Sequence, residues 1–490
     1  MIRTAATSQK KPNDTRLLDA REVQAMLQSA VRWPGDLRPT DVAVERCWPA
    51  RDGGLVFEWS FALGNRGRRT LFGKTGPKVC EERQPPLLEA RDTAAGLRSV
   101  RVHAPQYGAL IHSPDCDSAM PHLAACLDPE EMADRLRRMW PWLNECHPAS
   151  SGRVDCRLLG YRPARRATIA YRTKKKGRSR VLVVGKTYAN GRAEQLAPIH
   201  QRLNNQLSWH SNRRVRVPSI LGQFPDLHMA LLCDARGQSP GHGVRWTTRE
   251  IRAVAFALAA LHRSRVEGIS TFSMADERKV VLRWHALLGR ILPADVENTQ
   301  GLVGRLLHAS EQIDATTQCM VHRDFYDRQL IIGRCSTTLL DLDTLAMGHP
   351  CLDLGNLLAH VFFAGLYVAD DPRGGRRHDV GEFEALSVAL IRCYEASGGP
   401  IVDRQALSFY FASALFRVAA VHALRTRTRA RAPAMWQAAA DALSHVDGTD
   451  GVSAYRFLAS RRLTACQTFT ARRITKPFSH QKKTECRSVP

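Results

Sequence analysis

The chain has 490 residues, 44% of them apolar, enough to bury one large core or two to three modest ones. Thirteen cysteines, spaced singly with no C-x-x-C pair, exclude a zinc ribbon and a small disulfide scaffold, and reduced thiols in a cytosol are the expected state. A formal charge of +24 attracts phosphates, nucleic acid or anionic membrane, but charge spread along a chain is not in itself a binding surface.

The opening "MIRTAATSQKKPNDTR" lacks the apolar stretch of a secretory signal, which points to a cytoplasmic protein. Leu17 to Ser29 has helical spacing, and "GGLVFEWSFALGNRGRRTLFGKT" alternates as two strands around a Gly-containing turn. "SVRVHAPQYGALIHSP" reads as extended, and "DPEEMADRLRRMWPWL" as an amphipathic helix. A second strand set follows in "CRLLGYRP", "RATIAYRT" and "RVLVVGKTY". Both sets end in "GKT", at Gly73 to Thr75 and Gly185 to Thr187. That is the mark of a duplicated hairpin or of chance, since one short match does not separate the two.

Beyond Thr187, "GRAEQLAPIHQRLNNQL" is helix-like, with Pro198 limiting its upstream extent. "PSILGQFPDLHMALLCDARG" reads as two strands and a loop. The rest is mainly helical, beginning with "TTREIRAVAFALAALHRS", where Thr247 and Glu250 have capping-box spacing. Strands first and helices later argue for an α+β fold rather than alternating α/β. The last thirty residues hold eight Lys or Arg against one Glu and read as a flexible basic tail.

A phosphate-binding P-loop is excluded at both "GKT" sites. The Gly required five residues earlier is replaced by Arg68 and Arg180, and no helix opens at Lys186. A different phosphate chemistry is written in "VHRDFYDRQLII", which has the form H-x-D-x-x-x-x-N/Q. Seventeen residues after Asp324 comes Asp341, at the end of the apolar run "TTLLDLD". Phosphoryl transfer needs a carboxylate facing the accepting hydroxyl and hard oxygen ligands for Mg²⁺ on the phosphates. Asp324 supplies the first, and Gln329 with Asp341 supplies the second.

With "LLDLDTLAMGHPCLDLGNLL" alongside, the sequence resembles the bacterial phosphotransferases related to aminoglycoside phosphotransferases and choline kinases, over about Val154 to Leu424. The resemblance implies a bilobal protein-kinase-like fold, with a small antiparallel-sheet N-lobe (151–235), a mainly helical C-lobe (236–460) and an N-terminal α+β extension (1–150). Residues 461–490 are left as the tail. It also implies an ATP- and Mg²⁺-dependent enzyme acting on a small-molecule hydroxyl. In that pattern Asp324 is the catalytic base and Gln329 and Asp341 are metal ligands, with Asp343 as a second metal contact or a structural acceptor. Lys186 contacts the nucleotide phosphates, with Glu194 as its ion-pair partner. The hinge near Leu231 to Asp234, including Leu232, binds adenine, while His322 and Asp353 brace the loop.

The sequence departs from the family in three places. Gln329 stands where many kinases have Asn, "RPARR" lacks the Gly of a flexible phosphate-covering loop, and His349 replaces the Asp of a "GDP" element. Only "LDTLAMGHPCL" separates Asp341 from Asp353, too short for the activation segment of a protein kinase. A small molecule is therefore the expected partner. Asp370, Asp371, Glu382 and Glu384 would suit a cationic, aminoglycoside-type acceptor, whereas the net basic charge would suit an anionic one. The competing class is a catalytically weak binding or regulatory protein that meets nucleic acid through its basic surface. Residues 1–150 read as a degenerate second lobe, as a cap on the site or as a dimerisation surface.

Overall fold

A computed structural model describes residues 14–50, 52–77, 79, 89–93, 96–140, 154–175, 178–241, 245–314, 316–368 and 380–444. The basic tail and Asp370 and Asp371 lie outside the described residues. Helix α1 (Ala20–Ala30) opens on Asp19, whose carboxylate accepts the backbone N–H groups of Arg21 and Glu22. It covers an antiparallel sheet built from β1 (Pro39–Pro49), β2 (Leu55–Leu63) and β3 (Arg68–Thr75). A two-stranded ribbon of β4 (Arg91–Thr93) and β5 (Gly96–Arg98) follows, and then β6 (Arg101–Ala104) and β7 (Ala109–His112) complete the sheet in the order β1-β2-β3-β7-β6. Phe57, Trp59 and Phe61 of β2 are wholly buried, which anchors this sheet.

Helices α2 (Leu123–Leu127) and α3 (Pro129–Met139) link this unit to a second sheet and share a core with it through Leu123, Leu136, Tyr161 and Ile169. That sheet contains β8 (Asp155–Arg162), β9 (Arg166–Lys175) and β10 (Arg178–Tyr188). Next come α4 (Arg192–Ser211), β11 (Val215–Arg216), β12 (Ile220–Phe224) and β13 (Met229–Leu232). Helix α4 continues past Pro198, which sits early in it, so the proline costs one backbone hydrogen bond near the N-terminal end without ending the helix.

The second sheet has the order β8-β9-β10-β13-β12, the same path through space as the first. The likeness extends to register. Gly73, Lys74 and Thr75 oppose Ile111, Leu110 and Ala109, while Gly185, Lys186 and Thr187 oppose Leu231, Ala230 and Met229. Each glycine also has a large ring against it: a Cβ would fall 1.9 Å from Trp59 at Gly73 and 2.7 Å from Tyr171 at Gly185. Each hairpin between the last two strands turns through a one-turn 3-10 helix, Pro105–Tyr107 or Pro225–Leu227, closed by a left-handed residue, Gly108 or His228.

The remaining elements are helical, beginning with α5 (Thr248–Arg263), whose capping box joins Thr247 and Glu250, then α6 (Met274–Ile291) and α7 (Pro293–Ala309). Four short strands interrupt them: β14 (Cys319–Val321), β15 (Leu330–Ile332), β16 (Thr337–Leu339) and β17 (Ala346–Gly348). β14 pairs with β17 and β15 with β16, forming two small mounts around the charged loop. Helices α8 (Cys351–Val368), α9 (Val380–Ala396), α10 (Arg404–Ala423) and α11 (Ala432–Leu443) complete the lobe. The molecule is thus α+β, with a small antiparallel-sheet lobe, a helical lobe and an N-terminal α+β unit. Among the described residues α10 alone is long and apolar enough to cross a membrane, and it is the buried centre of the helical lobe.

Helices α8 and α10 approach so closely that a Cβ on Gly355 would lie 2.6 Å from the Tyr410 carbonyl carbon. Because the obstacle is backbone, no rotamer change relieves it. Gly355→Ala is expected to cost about 2–3 kcal/mol in urea unfolding through forced overpacking; a loss below about 0.5 kcal/mol would refute this packing.

The N-terminal unit also touches the helical lobe directly. The backbone N–H of Val44 donates to the Thr426 hydroxyl at 2.9 Å, and the N–H of Thr426 returns to the Val44 carbonyl at 3.1 Å. Arg290 donates to the Gly53 carbonyl at 2.6 Å, and Arg427 pairs with Asp41. These links bring β1 over the opening between the second sheet and the helices.

Candidate active site

The charged loop from His322 to Gln329 leaves β14 and enters β15, so both ends are held by strand pairing. Its entry is fixed by Asp353 in the first turn of α8, a fully buried carboxylate. One oxygen accepts the backbone N–H of His322 and the other that of Arg323, both at 2.7 Å. The second bond holds Arg323 in a left-handed conformation at φ 68°, uncommon for a residue with a Cβ. His262 of α5 lies 3.2 Å from the same carboxylate through Nε2, and its Nδ1 meets the Tyr394 hydroxyl at 2.6 Å. On the other side of the loop, His322 Nε2 donates to the Leu340 carbonyl at 2.7 Å, one residue before Asp341.

Held in this way, Asp324 is half-buried and faces a cavity, and among the described residues none donates a hydrogen bond to its carboxylate. Gln329 is buried, and its carbonyl accepts the Leu340 N–H at 2.8 Å, which sets it across the hairpin from the Asp341 strand end. Asp341 itself is left-handed at φ 50°, turning the chain so that its carboxylate and that of Asp343 face the second sheet.

Lys186 meets them from β10. Its Nζ donates to Asp341 Oδ1 and Asp343 Oδ1, each at 2.7 Å. Arg166, at the start of β9, grips Asp341 with both guanidinium arms, at 2.6 and 2.9 Å, and also pairs with Asp343. The Tyr188 hydroxyl donates to Asp343 at 2.7 Å. Burial pushes the Lys186 ammonium down to about 8, against the pull of Asp341. Burial alone would raise the Asp341 carboxyl, but Lys186 and Arg166 beside it hold it well below the usual carboxylate range.

Glu194 does not take the role expected of it. It sits exposed in the first turn of α4 and forms no ion pair with Lys186, which pairs with Asp341 and Asp343 instead. The reason is the start of α4 at Arg192, which places Glu194 on a solvent-facing position of that turn. Leu232 ends β13 opposite Val184, and Asp234 is half-buried in the irregular segment that follows β13, so both lie at the passage between lobes rather than with Lys186. His349 is buried, stacks on Tyr410 at 5.3 Å and accepts the Cys351 N–H.

Sequence reasoning did not single out Arg166, which bridges the lobes; one arginine at a strand end carries no local signal. Nor did it single out Asp117, from the segment before α2. Its buried carboxylate accepts the Tyr161 hydroxyl at 2.6 Å and the Ala164 N–H at 2.7 Å, tying down the "RPARR" turn. A turn without glycine is thereby fixed by a neighbour rather than left free.

The cavity in front of Asp324 encloses about 960 Å³. Its walls come from three parts of the chain: Arg46 to Ala50 at and just past the end of β1, the turn at Arg162 to Arg166, and the helical lobe from α6, α8 and α10. Glu382 and Glu384, expected near a cationic acceptor, do not line it.

Residues 168–385 match the family described as the phosphotransferase enzyme family, in agreement with the resemblance that the loop motifs carry. No curated protein matches the chain. Among solved structures, a macrolide 2'-phosphotransferase from Brachybacterium faecium aligns with 63% of this chain and 98% of its own at 21% identity and a TM-score of 0.36. A choline/ethanolamine kinase family protein from Mesorhizobium loti aligns with 67% of this chain and 98% of its own, at 15% identity and a TM-score of 0.42. For a choline kinase from Cryptosporidium parvum the figures are 68% and 100%, at 10% identity and a TM-score of 0.42.

Proposed function

Taking as premise that residues 168–385 match the phosphotransferase enzyme family, we propose that this protein transfers the γ-phosphoryl group of ATP to a hydroxyl of a small molecule. The observation that carries the reading is the meeting of Lys186 and Arg166 from the sheet lobe with Asp341 and Asp343 from the helical lobe. Two cations and two carboxylates neutralise each other there. A nucleotide arriving with a divalent cation offers the same charges crosswise, phosphates for the cations and metal for the carboxylates. The exchange leaves no buried charge alone.

Gln329, Asp341 and Asp343 offer oxygen donors only, which suits Mg²⁺; held there, the ion would neutralise charge developing on the phosphates. Lys186 and Arg166 hold the phosphate chain in place. Asp324 orients the acceptor hydroxyl and takes its proton as the hydroxyl oxygen bonds to the γ-phosphorus, while the bond from that phosphorus to ADP breaks. The hinge at Leu232 to Asp234 is the place for the adenine, reached through backbone groups. Glu194 has no part in this scheme. We read the N-terminal unit as a second copy of the sheet lobe that has become a cap: Lys74, the register equivalent of Lys186, pairs with Asp52 at 2.9 Å inside its own unit.

The test is ADP release from Mg·ATP against a panel of small-molecule alcohols, together with nucleotide affinity followed from pH 6.5 to 9.5. Protonated Lys186 is the form that attracts phosphate, so affinity is expected to hold below about 8 and to fall above it by up to about tenfold per pH unit. Lys186→Arg should remove that inflection, because guanidinium stays charged throughout the range. A flat profile in the wild-type protein would separate Lys186 from the nucleotide, and failure to bind ATP at all would sink the reading.

A further inference from the structure

The cavity facing Asp324 is strongly cationic in a way that the phosphoryl-transfer residues do not explain. Arg46, Arg162, Arg328, Arg417 and Arg425 line it beyond the Lys186 cluster. The lining holds four carboxylates, Glu277, Asp324, Asp327 and Asp341, against nine arginines, too few to neutralise them. Asp341 is held by Lys186 and Arg166, Glu277 accepts the Ser413 hydroxyl, and Asp324 is reserved for the acceptor. Among the described residues Arg162, Arg328 and Arg425 form no ion pair, and the Nε of Arg425 is buried without a hydrogen-bond partner. Arg417 spends its guanidinium on a neutral amide, that of Asn356. Arg46 pairs with Glu58 at 3.3 Å, only a partial offset.

The charges repel one another. Burial, with Arg46 next, pushes Arg425 down to about 10, even though Glu58 and Glu45 pull the other way. His360, in the cavity wall, is driven down to about 3 by burial and by Arg417, Arg425 and Arg328. A native site that gathers unpaired guanidinium groups around a cavity spends stability on them, and the compensating partner is an anion. Planar guanidinium forks suit carboxylate and phosphate oxygens in particular.

We propose that the acceptor carries an anionic group besides its reacting hydroxyl, a carboxylate or a phosphate, which seats on Arg425, Arg46 and Arg162 under the edge of β1. This rests on the phosphotransferase reading above and names its substrate class. The N-terminal unit is then part of the acceptor site, because Arg46 comes from β1 and Arg425 from the segment whose Thr426 is bonded to Val44 of β1. Cationic acceptors such as aminoglycosides and choline are disfavoured by the same charges.

The experiment uses the full chain with Mg·ATP and acceptors matched in size but differing in charge: hydroxy acids, sugar phosphates, neutral sugars, and cationic amino alcohols and aminoglycosides. Turnover is expected with anionic acceptors, and the hydroxy-acid and sugar-phosphate arms tell carboxylate from phosphate. Arg425→Gln should lower kcat/KM for the preferred acceptor by at least about a hundredfold, two charge-assisted contacts' worth, and Arg425→Lys should recover part of it. ATP affinity should stay within about twofold. The glutamine variant should unfold no earlier than wild type, since a repelled buried charge has been removed. Turnover of cationic or neutral acceptors, unaffected by Arg425→Gln, overturns the inference and leaves the phosphotransferase reading standing. If no acceptor yields ADP, binding of inorganic phosphate is measured by calorimetry. Binding that Arg425→Gln abolishes supports the anion seat while the transferase reading falls, and no binding sinks both.

Discussion

Asp324→Asn is expected to reduce turnover by about 10²–10⁴-fold, the range that a positioned general base contributes, with little change in ATP affinity or unfolding temperature. The reason lies in what the side chain touches. Its carboxylate lines the cavity and takes no hydrogen bond from a described neighbour, so removing its charge orphans no partner in the fold. A residue that serves packing would show the opposite pattern, lost stability with modest change in rate. The measurement is steady-state kinetics beside a nucleotide titration and a thermal melt. Full activity in the asparagine variant would remove Asp324 from the mechanism.

Asp353→Ala should do what Asp324→Asn does not. The buried carboxylate accepts two backbone N–H groups at 2.7 Å and faces His262, and truncation leaves all three without an acceptor in a site closed to water. Each orphaned buried donor costs roughly 1–3 kcal/mol, so a loss of about 3–5 kcal/mol is expected in denaturant unfolding, with activity lost as the loop relaxes. Asp353→Asn keeps one acceptor oxygen and should cost about half as much. A drop below about 1 kcal/mol in the alanine variant would mean that the loop is held by its strands alone.

The two substitutions separate chemistry from scaffold within one motif. Asp324 and Asp353 are both aspartates of the helical lobe, and nothing in residue type distinguishes them. Burial and hydrogen-bond partners do.

Much of this was legible in the chain itself because it is local. The polar loop from His322 to Gln329 and the apolar run "TTLLDLD" after it are read directly from the letters, and the α+β class follows from strands preceding helices. The capping box at Thr247 and Glu250 and the helix containing Glu194 follow from spacing within one or two turns. Glu194 shows the limit. Closeness in sequence made it the natural partner for Lys186, yet the start of α4 turned it to solvent, and the pairing register of β10 aimed Lys186 across the cleft at Asp341 and Asp343. The "GKT" repeat was too short to interpret as letters; the shared strand order and register made it structurally meaningful.

What the sequence alone determined, then, is the make-up of one loop, whose carboxylates and amide are set at short fixed spacing beside a strand pair. Only the tertiary structure decided which cations meet that loop. Arg46, Arg166 and Arg425 lie far apart in the chain and arrive from a strand of the N-terminal unit, a strand of the second sheet and the segment that follows α10. Their convergence depends on long-range docking, so no local periodicity encodes it, and a net charge of +24 does not say where unpaired charges gather.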